Sequence, residues 1–297
     1  MPLHDDEVPV HPDQVRRLVD DQLPRWAHLP LRPGPPGGTD HVLYRLGDDL
    51  LVRLPKIGWA TGQVESDARW LPFLGEHLPV DVPVPLAVGE PGEGYPYRWS
   101  VTRWLPGAAA APGTFDAVPV ARQAAELVVA LRAVDTTGGP VKDGTSRGVP
   151  LDRLDPSVRD AIAACGTRVD AAAVTRAWDR ALEARPSSGG AWIHGDLLPG
   201  NLLVHEGCLS GAIDWGGVGV GDPAADLIPA WTLFRGEARE RFREAAAEGL
   251  PHPEDAWERA RGWVLVQGVI GLPYYWDRWP EFAREGLARV DEVLAEG

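Results

Sequence analysis

The chain is short of cysteine, methionine and positive charge. Its 297 residues include 2 Cys, 1 Met and 29 Lys plus Arg against 43 Asp plus Glu. Two isolated cysteines, Cys165 and Cys208, build neither a disulfide framework nor a zinc pattern, and they suit a reducing cytoplasm. No apolar run is long enough to cross a bilayer. The opening segment MPLHDDEV is acidic and lacks an apolar signal stretch. A formal net charge of −14 and a pI near 5.0 argue against a nucleic-acid or anionic-membrane partner. The same charge suits a small-molecule partner that is cationic, because an acidic cleft would concentrate it. No internal repeat is evident. A hydrophobic content of 44% and a charged content of 24% are those of an ordinary globular protein, long enough for two lobes with cores of their own.

Chemistry concentrates between Trp192 and Gly217. The segment reads WIHGDLLPGNLLV, then a polar turn, then GAIDWGG. Asp196 follows His194 by two residues, Asn201 follows Asp196 by five, and Asp214 follows Asn201 by thirteen. This is the order and rough spacing of a kinase catalytic loop and its metal-binding Asp. Leu202 to Val204 reads as a strand leaving the loop, Gly211 to Ile213 as the strand returning to Asp214, and His205-Glu206-Gly207 as the turn between them. Asn201 and Asp214 would then flank one hairpin. Phosphoryl transfer passes through a loose transition state, so positioning and charge neutralisation carry most of the catalysis. One carboxylate must orient the acceptor hydroxyl and take its proton, and Asp196 is the candidate. An amide oxygen and a carboxylate must hold Mg²⁺, a cation that prefers oxygen ligands, and Asn201 and Asp214 are the candidates. His194 reads as a structural residue of the loop. A metal-dependent hydrolase would need more His and carboxylate ligands than this motif supplies.

HGDLLPGN followed by IDWGGVGVGDPAADL resembles the aminoglycoside phosphotransferase family, within the protein-kinase-like superfamily. The resemblance covers nearly the whole chain. It implies a bilobal fold, MgATP or MgGTP between the lobes, and an acceptor in the C-terminal lobe. It also implies Asp196 as base and Asn201 and Asp214 as metal ligands. The family's second acidic motif corresponds to Gly221-Asp222-Pro223 and Asp226, and a structural role is expected for Asp226.

The N-terminal half fits the same scheme. Gly37 and Gly38 precede a strand in which Val42, Tyr44 and Leu46 alternate with polar residues; Gly47-Asp48-Asp49 is a turn and Leu50 to Leu54 the next strand. Glycines here would let backbone N–H groups approach phosphates. A kinase needs a cation on this strand, paired with a Glu on the following helix. The family usually places Lys there; this strand offers Arg53, with Lys56 past its end, and Glu65 is the expected partner. Arg keeps the charge and can clamp phosphates through two parallel bonds. Tyr97 to Leu105 reads as a strand ending at Pro106-Gly107. By resemblance it leads into the hinge, with Thr102 beside the purine and with Arg103 and Leu105 offering backbone to it; Pro106 has no N–H to give.

Beyond the hinge the period becomes helical. Ala121, Ala124, Ala125, Val128, Leu131 and Val134 form one apolar face, and Asp170 reads as the N-cap of a helix burying Val174, Ala177, Trp178, Ala181 and Leu182. Further helices are expected at about 237–248, 254–270 and 280–295, with Pro33 to Gly38 and Thr136 to Gly148 as the clearest loops. Strands first and helices later predict an α+β, bilobal protein-kinase-like fold: a β-rich N-lobe over residues 1–103, a hinge at 104–107 and a mainly helical C-lobe over 108–297. The expected function is an ATP- or GTP-dependent O-phosphotransferase for an aminoglycoside or related amino sugar. Tyr274 to Glu281, aromatic and acidic, suits the lining of its acceptor site. The alternatives are a metabolic kinase for another hydroxylated molecule (a choline-like amine, a sugar, a macrolide) and a nucleotide-binding regulator without transfer activity.

Overall fold

The structure, a computed structural model, describes residues 3–35 and 38–296. The chain divides into two compact units. One runs to Glu76 and resumes over Asp81–Pro106; the other comprises His77–Val80 and everything from Gly107. The architecture is α+β, with antiparallel sheets.

The first unit is a five-stranded sheet with two helices. Strands β1 (Leu31–Pro33), β2 (His41–Leu46), β3 (Leu50–Pro55), β4 (Pro85–Gly89) and β5 (Trp99–Arg103) lie in the order β1-β2-β3-β5-β4. The turn between β2 and β3 closes through Gly47, whose φ of 63° suits a residue without a Cβ. Alternation decides what each face buries. Tyr44, Leu46, Val52, Leu54, Trp99 and Val101 join Val15, Leu18 and Val19 of α1 (Pro12–Gln22) in one hydrophobic cluster. The opposite face of the same strands carries the paired residues Leu51 with Thr102 and Arg53 with Ser100. Helix α2 (Thr61–Gly75) buries Val64, Asp67, Leu71 and Leu74, a stripe at helical period.

The second unit holds β6 (Ala108–Ala109), β7 (Ala191–Ile193), β8 (Leu202–His205), β9 (Cys208–Ala212) and β10 (Gly219–Gly221). They form a three-stranded sheet, β6-β8-β9, and a two-stranded one, β7-β10. The β8–β9 turn consists of Glu206 and Gly207, with φ of 50° and 80°, the twist that suits a two-residue hairpin. The helices are α3 (Ala117–Ala133), α4 (Asp155–Cys165), α5 (Ala171–Glu183), α6 (Pro229–Thr232), α7 (Gly236–Ala246), α8 (Pro253–Val269), α9 (Leu272–Tyr275) and α10 (Pro280–Ala295). Asp170 caps α5 by accepting the Ala173 N–H at 3.0 Å, as its position in the sequence predicts. Helix α8 is buried nearly all round, by Trp257, Trp263, Val264, Leu265 and Val269 among others, which makes it the central helix of the unit. Gly268 and Gly286 let α8 and α10 approach closely. A Cβ at Gly268 would stand 3.1 Å from the Gly286 carbonyl oxygen, and one at Gly286 2.8 Å from that of Gly268. None of the described helices is long and apolar enough to cross a membrane.

Candidate active site

The His194–Asn201 segment leaves β7 and is fixed from behind by a buried carboxylate. Asp226 is 1% exposed, and its two oxygens accept the backbone N–H groups of His194 and Gly195, both at 2.7 Å. Burial pushes the Asp226 pKa up, against the opposing pull of His194 and of those two N–H bonds. His194 is fully buried. Its Nδ1 accepts the Asp196 N–H at 3.2 Å, so the ring proton belongs on Nε2, which donates to the Ile213 carbonyl at 3.0 Å. The imidazole thus joins the loop of Asp196 to the strand end of Asp214, and it packs on Trp215 with ring centroids 4.5 Å apart.

Backbone contact makes the same join. Gly195 has φ 79°, and a Cβ there would lie 2.8 Å from the Gly217 carbonyl oxygen; a Cβ on Gly217 would lie 2.7 Å from the His194 carbonyl oxygen. Only glycine fits either position. Asn201 closes the arrangement. Its Nδ2 donates to the Asp196 carbonyl at 2.9 Å and to Asp196 Oδ2 at 3.3 Å, while its own carbonyl accepts the Ile213 N–H at 2.9 Å. Asp214, next in the chain, adopts the left-handed region at φ 62° and ψ 66°, which Asp tolerates better than most residues. Asp196, Asn201 and Asp214 therefore come together. With the Asn201 amide nitrogen committed to Asp196, its Oδ1 is the atom left to face a cation. One amide oxygen and one carboxylate are a donor set that suits Mg²⁺ completed by phosphate oxygens and water.

Two neighbours of Asp196 come from distant sequence. Arg147 Nη1 lies 2.9 Å from Asp196 Oδ1, and Gln267 of α8 donates Nε2 to the same oxygen at 3.2 Å. Arg147 is delivered by a loop tied down at both ends. The Lys142 N–H donates to the Val220 carbonyl at 2.9 Å, and the Gly148 carbonyl accepts the Asp222 N–H at 2.7 Å. Lys142 Nζ also donates to the Gly217 carbonyl at 2.9 Å. Asp222 itself is structural. It caps the short 3-10 helix Pro223–Leu227 and makes a two-bond pair with Arg259 of α8, at 2.7 and 3.1 Å, both side chains buried.

In the first unit, Arg53 is only 7% exposed, and its Nη1 lies 3.0 Å from Asp67 Oδ2, itself 2% exposed. The expected partner Glu65 is a correction. It bonds Arg98 at 3.2 Å in an exposed pair. Helical register is the reason: Asp67 belongs to the buried stripe of α2, whereas Glu65, two residues away, is turned roughly 200° from it at about 100° per residue. Lys56 lies just past β3 and pairs with Glu7 at 3.4 Å. Since Lys56 and Lys142 are the only lysines of the chain, the cation on β3 is Arg53. Thr102 is fully buried on the Arg53 face, Arg103 is exposed and Leu105 is 9% exposed. Gly38 has open space around its Cα; Gly37 lies outside the described residues.

The model of the phosphotransferase enzyme family, APH, matches residues 32–263, most of the chain and every residue of the cluster but Gln267. The chain belongs to the APH phosphotransferase family. It is accordingly a phosphotransferase that acts on hydroxyl groups. Its fold is similar to that of an APH(2") enzyme in complex with GDP and kanamycin, with a TM-score of 0.75 at 16% identity over 95% of this chain and 99% of that one. It is similar, too, to the macrolide 2'-phosphotransferase MphH from Brachybacterium faecium, with a TM-score of 0.62 at 22% identity over 95% and 98%. An ADP-bound APH(2'')-Ib gives 0.61 at 16% identity over 96% and 97%. No curated protein sequence matches the chain. A cavity of about 540 Å³ in the second unit of the phosphotransferase is lined by Lys142, Gly148, Leu151, Asp222 and Arg259 among others, but by none of Asp196, Asn201 and Asp214. It is bordered by both ends of the loop that carries Arg147.

Proposed function

We propose that the chain transfers the γ-phosphoryl group of ATP or GTP, with Mg²⁺, to a hydroxyl of a small molecule in the cytoplasm, where its two free cysteines would stay reduced. The observation that carries this reading is the bonded set Asp196–Asn201–Ile213 with Asp214 adjoining. Asp196 orients the acceptor hydroxyl and takes its proton; the hydroxyl oxygen bonds to the γ-phosphorus as the β,γ-bridging bond breaks, and the nucleoside diphosphate leaves. Asn201 Oδ1 and the Asp214 carboxylate would hold Mg²⁺, whose charge offsets that of the phosphates. In the first unit, Arg53 is the proposed phosphate clamp, supported by Asp67 in the role first expected of Glu65. Thr102, Arg103 and Leu105 are the proposed purine contacts, and Gly38 the described part of the phosphate loop.

For the acceptor, the neighbours whose complexes contain kanamycin, gentamicin or streptomycin support an amino-sugar hydroxyl. The ion pair between Arg147 and Asp196 favours a second reading, a kinase for a hydroxylated molecule that is not cationic. The nucleotide-dependent reading itself is tested with two variants. Asp196→Asn should fold, bind nucleotide and lose roughly 10²–10⁴ in kcat, the range for a general base. Asp214→Ala should weaken MgATP more than free ATP in calorimetric titration. Near-normal turnover in the first, or unchanged MgATP affinity in the second, would remove that residue from its role.

A further inference from the structure

The base of this site is bonded to a cation. Arg147 is bonded to Asp196 Oδ1 at 2.9 Å, and its side chain is 43% exposed, within reach of a ligand in solution. Arg289 of α10 is 7% exposed. The carboxylate bonded to Arg289 is Glu285 at 3.0 Å, whose own side chain is 66% exposed. Burial lowers the Arg289 pKa; Glu285 and Asp196 oppose that, and the nearby charge of Arg147 adds to it. Lys142, from the same loop as Arg147, is another cation of this neighbourhood, lowered by burial and then by Arg147. Gln267 adds a polar opening. Its Nε2 is on Asp196, while its Oε1 is buried and accepts no hydrogen bond.

Two rings of the aromatic segment already carry the protein's own cations. The Arg278 guanidinium sits 4.5 Å from the Tyr274 ring centroid and Arg168 4.4 Å from that of Trp276. At these two rings an incoming ammonium would have to compete with them for the same cation–π contact.

Resting on the phosphotransferase reading, we propose that Arg147 selects the acceptor, and that the acceptor is a hydroxyl compound carrying a carboxylate or phosphate rather than a polycationic amino sugar. A hydroxyl within about 3 Å of Asp196 brings its neighbouring substituents next to Arg147. An ammonium there meets a like charge, whereas an anionic oxygen group takes the guanidinium fork in two parallel bonds. Moving Arg147 onto such a group frees Asp196 Oδ1 for the hydroxyl proton. Gln267 Oε1 then accepts from a second hydroxyl of the acceptor. Anion binding and release of the base become one event.

The test follows nucleoside diphosphate formation by the full chain with three acceptor sets: hydroxycarboxylates and sugar phosphates, uncharged sugars, and kanamycin with streptomycin. Wild type is compared with Arg147→Gln and Arg147→Glu, each checked for an unchanged thermal melt. Acceptor-dependent turnover should appear with the anionic set. Arg147→Gln should raise the KM of that acceptor at least tenfold, the loss falling mainly on KM, with the KM for MgATP unmoved, and Arg147→Glu should abolish its use. Kanamycin or streptomycin turned over as well as the anionic set would overturn the inference and leave the phosphotransferase reading standing. So would an unmoved acceptor KM in Arg147→Gln, or nucleotide binding without turnover of any set. Failure to bind either MgATP or MgGTP by calorimetry would overturn the phosphotransferase reading itself.

Discussion

Replacing Asp226 by Asn takes away one of the two acceptors that hold the backbone at His194 and Gly195. Both bonds are 2.7 Å long and the carboxylate is buried, so no water replaces what is lost. An amide presents one oxygen and one NH₂, and the NH₂ would face a backbone donor. One buried N–H is left unsatisfied, at a cost of about 1–3 kcal/mol, and the surviving bond loses its charge assistance, roughly another 1 kcal/mol. The relief of no longer burying a charge subtracts from this. A net loss of about 2–4 kcal/mol is expected for Asp226→Asn, and more for Asp226→Ala, which strips both N–H groups and opens a cavity. Because His194 fixes the Asp196 N–H through its Nδ1, the loop should loosen at Asp196. The measurements are urea unfolding of the full chain and turnover of the folded variant at low temperature. Both should fall. A loss under about 0.5 kcal/mol with normal kcat would mean that the β7 turn holds its shape without the carboxylate, and the argument from satisfied backbone donors would fail.

Arg53 separates fold from function. Arg53→Ala removes the cation bonded to the buried Asp67 and should cost about 3–5 kcal/mol, whereas Arg53→Met with Asp67→Leu should recover most of that stability without recovering nucleotide binding. Recovery of the nucleotide KM in the double variant would make the pair purely structural. His41, 7% exposed on β2, has its pKa held well below the ordinary 6.5 by burial first, then by Arg53 and Lys56. The unfolded chain takes up this proton at a pH where the folded one does not, so stability present above about pH 6.5 should be lost as the pH falls below it. Urea midpoints at pH 7.5 and 5.5 should converge in a folded His41→Phe variant relative to wild type; an identical pH slope in the two proteins counts against His41.

What the sequence disclosed was local. The spacing of His194, Asp196, Asn201 and Asp214 lies in one short stretch, and the buried residues of α7 and α10 repeat every three to four residues, so neither needed long-range information. Asp67 was legible too, since it shares the period of Val64, Leu71 and Leu74, but the rule of a Glu partner drew attention to Glu65. Helix α1 carried a Pro at its first position and the apolar spacing Val15, Leu18, Val19. Strands of two or three residues, β6, β7 and β10, are too short to show any period. Arg147 and Gln267 reach Asp196 only through tertiary packing. A single polar residue amid the apolar run of α8 was the one hint that Gln267 faces something other than core.

The mutual contact of Gly195 and Gly217 acts as a spacer of fixed thickness. The two loops touch through their peptide planes, with no side chain between them that could be exchanged for a longer or shorter one. The separation of the Asp196 and Asp214 segments is therefore set by backbone contact, which no exchange of side chains at these two positions can adjust. Variation in what the enzyme phosphorylates has to enter from outside this spacer. The loop that carries Arg147, the inner face of α8 and the near side of α10 are the parts whose side chains can change while the transfer chemistry stays the same.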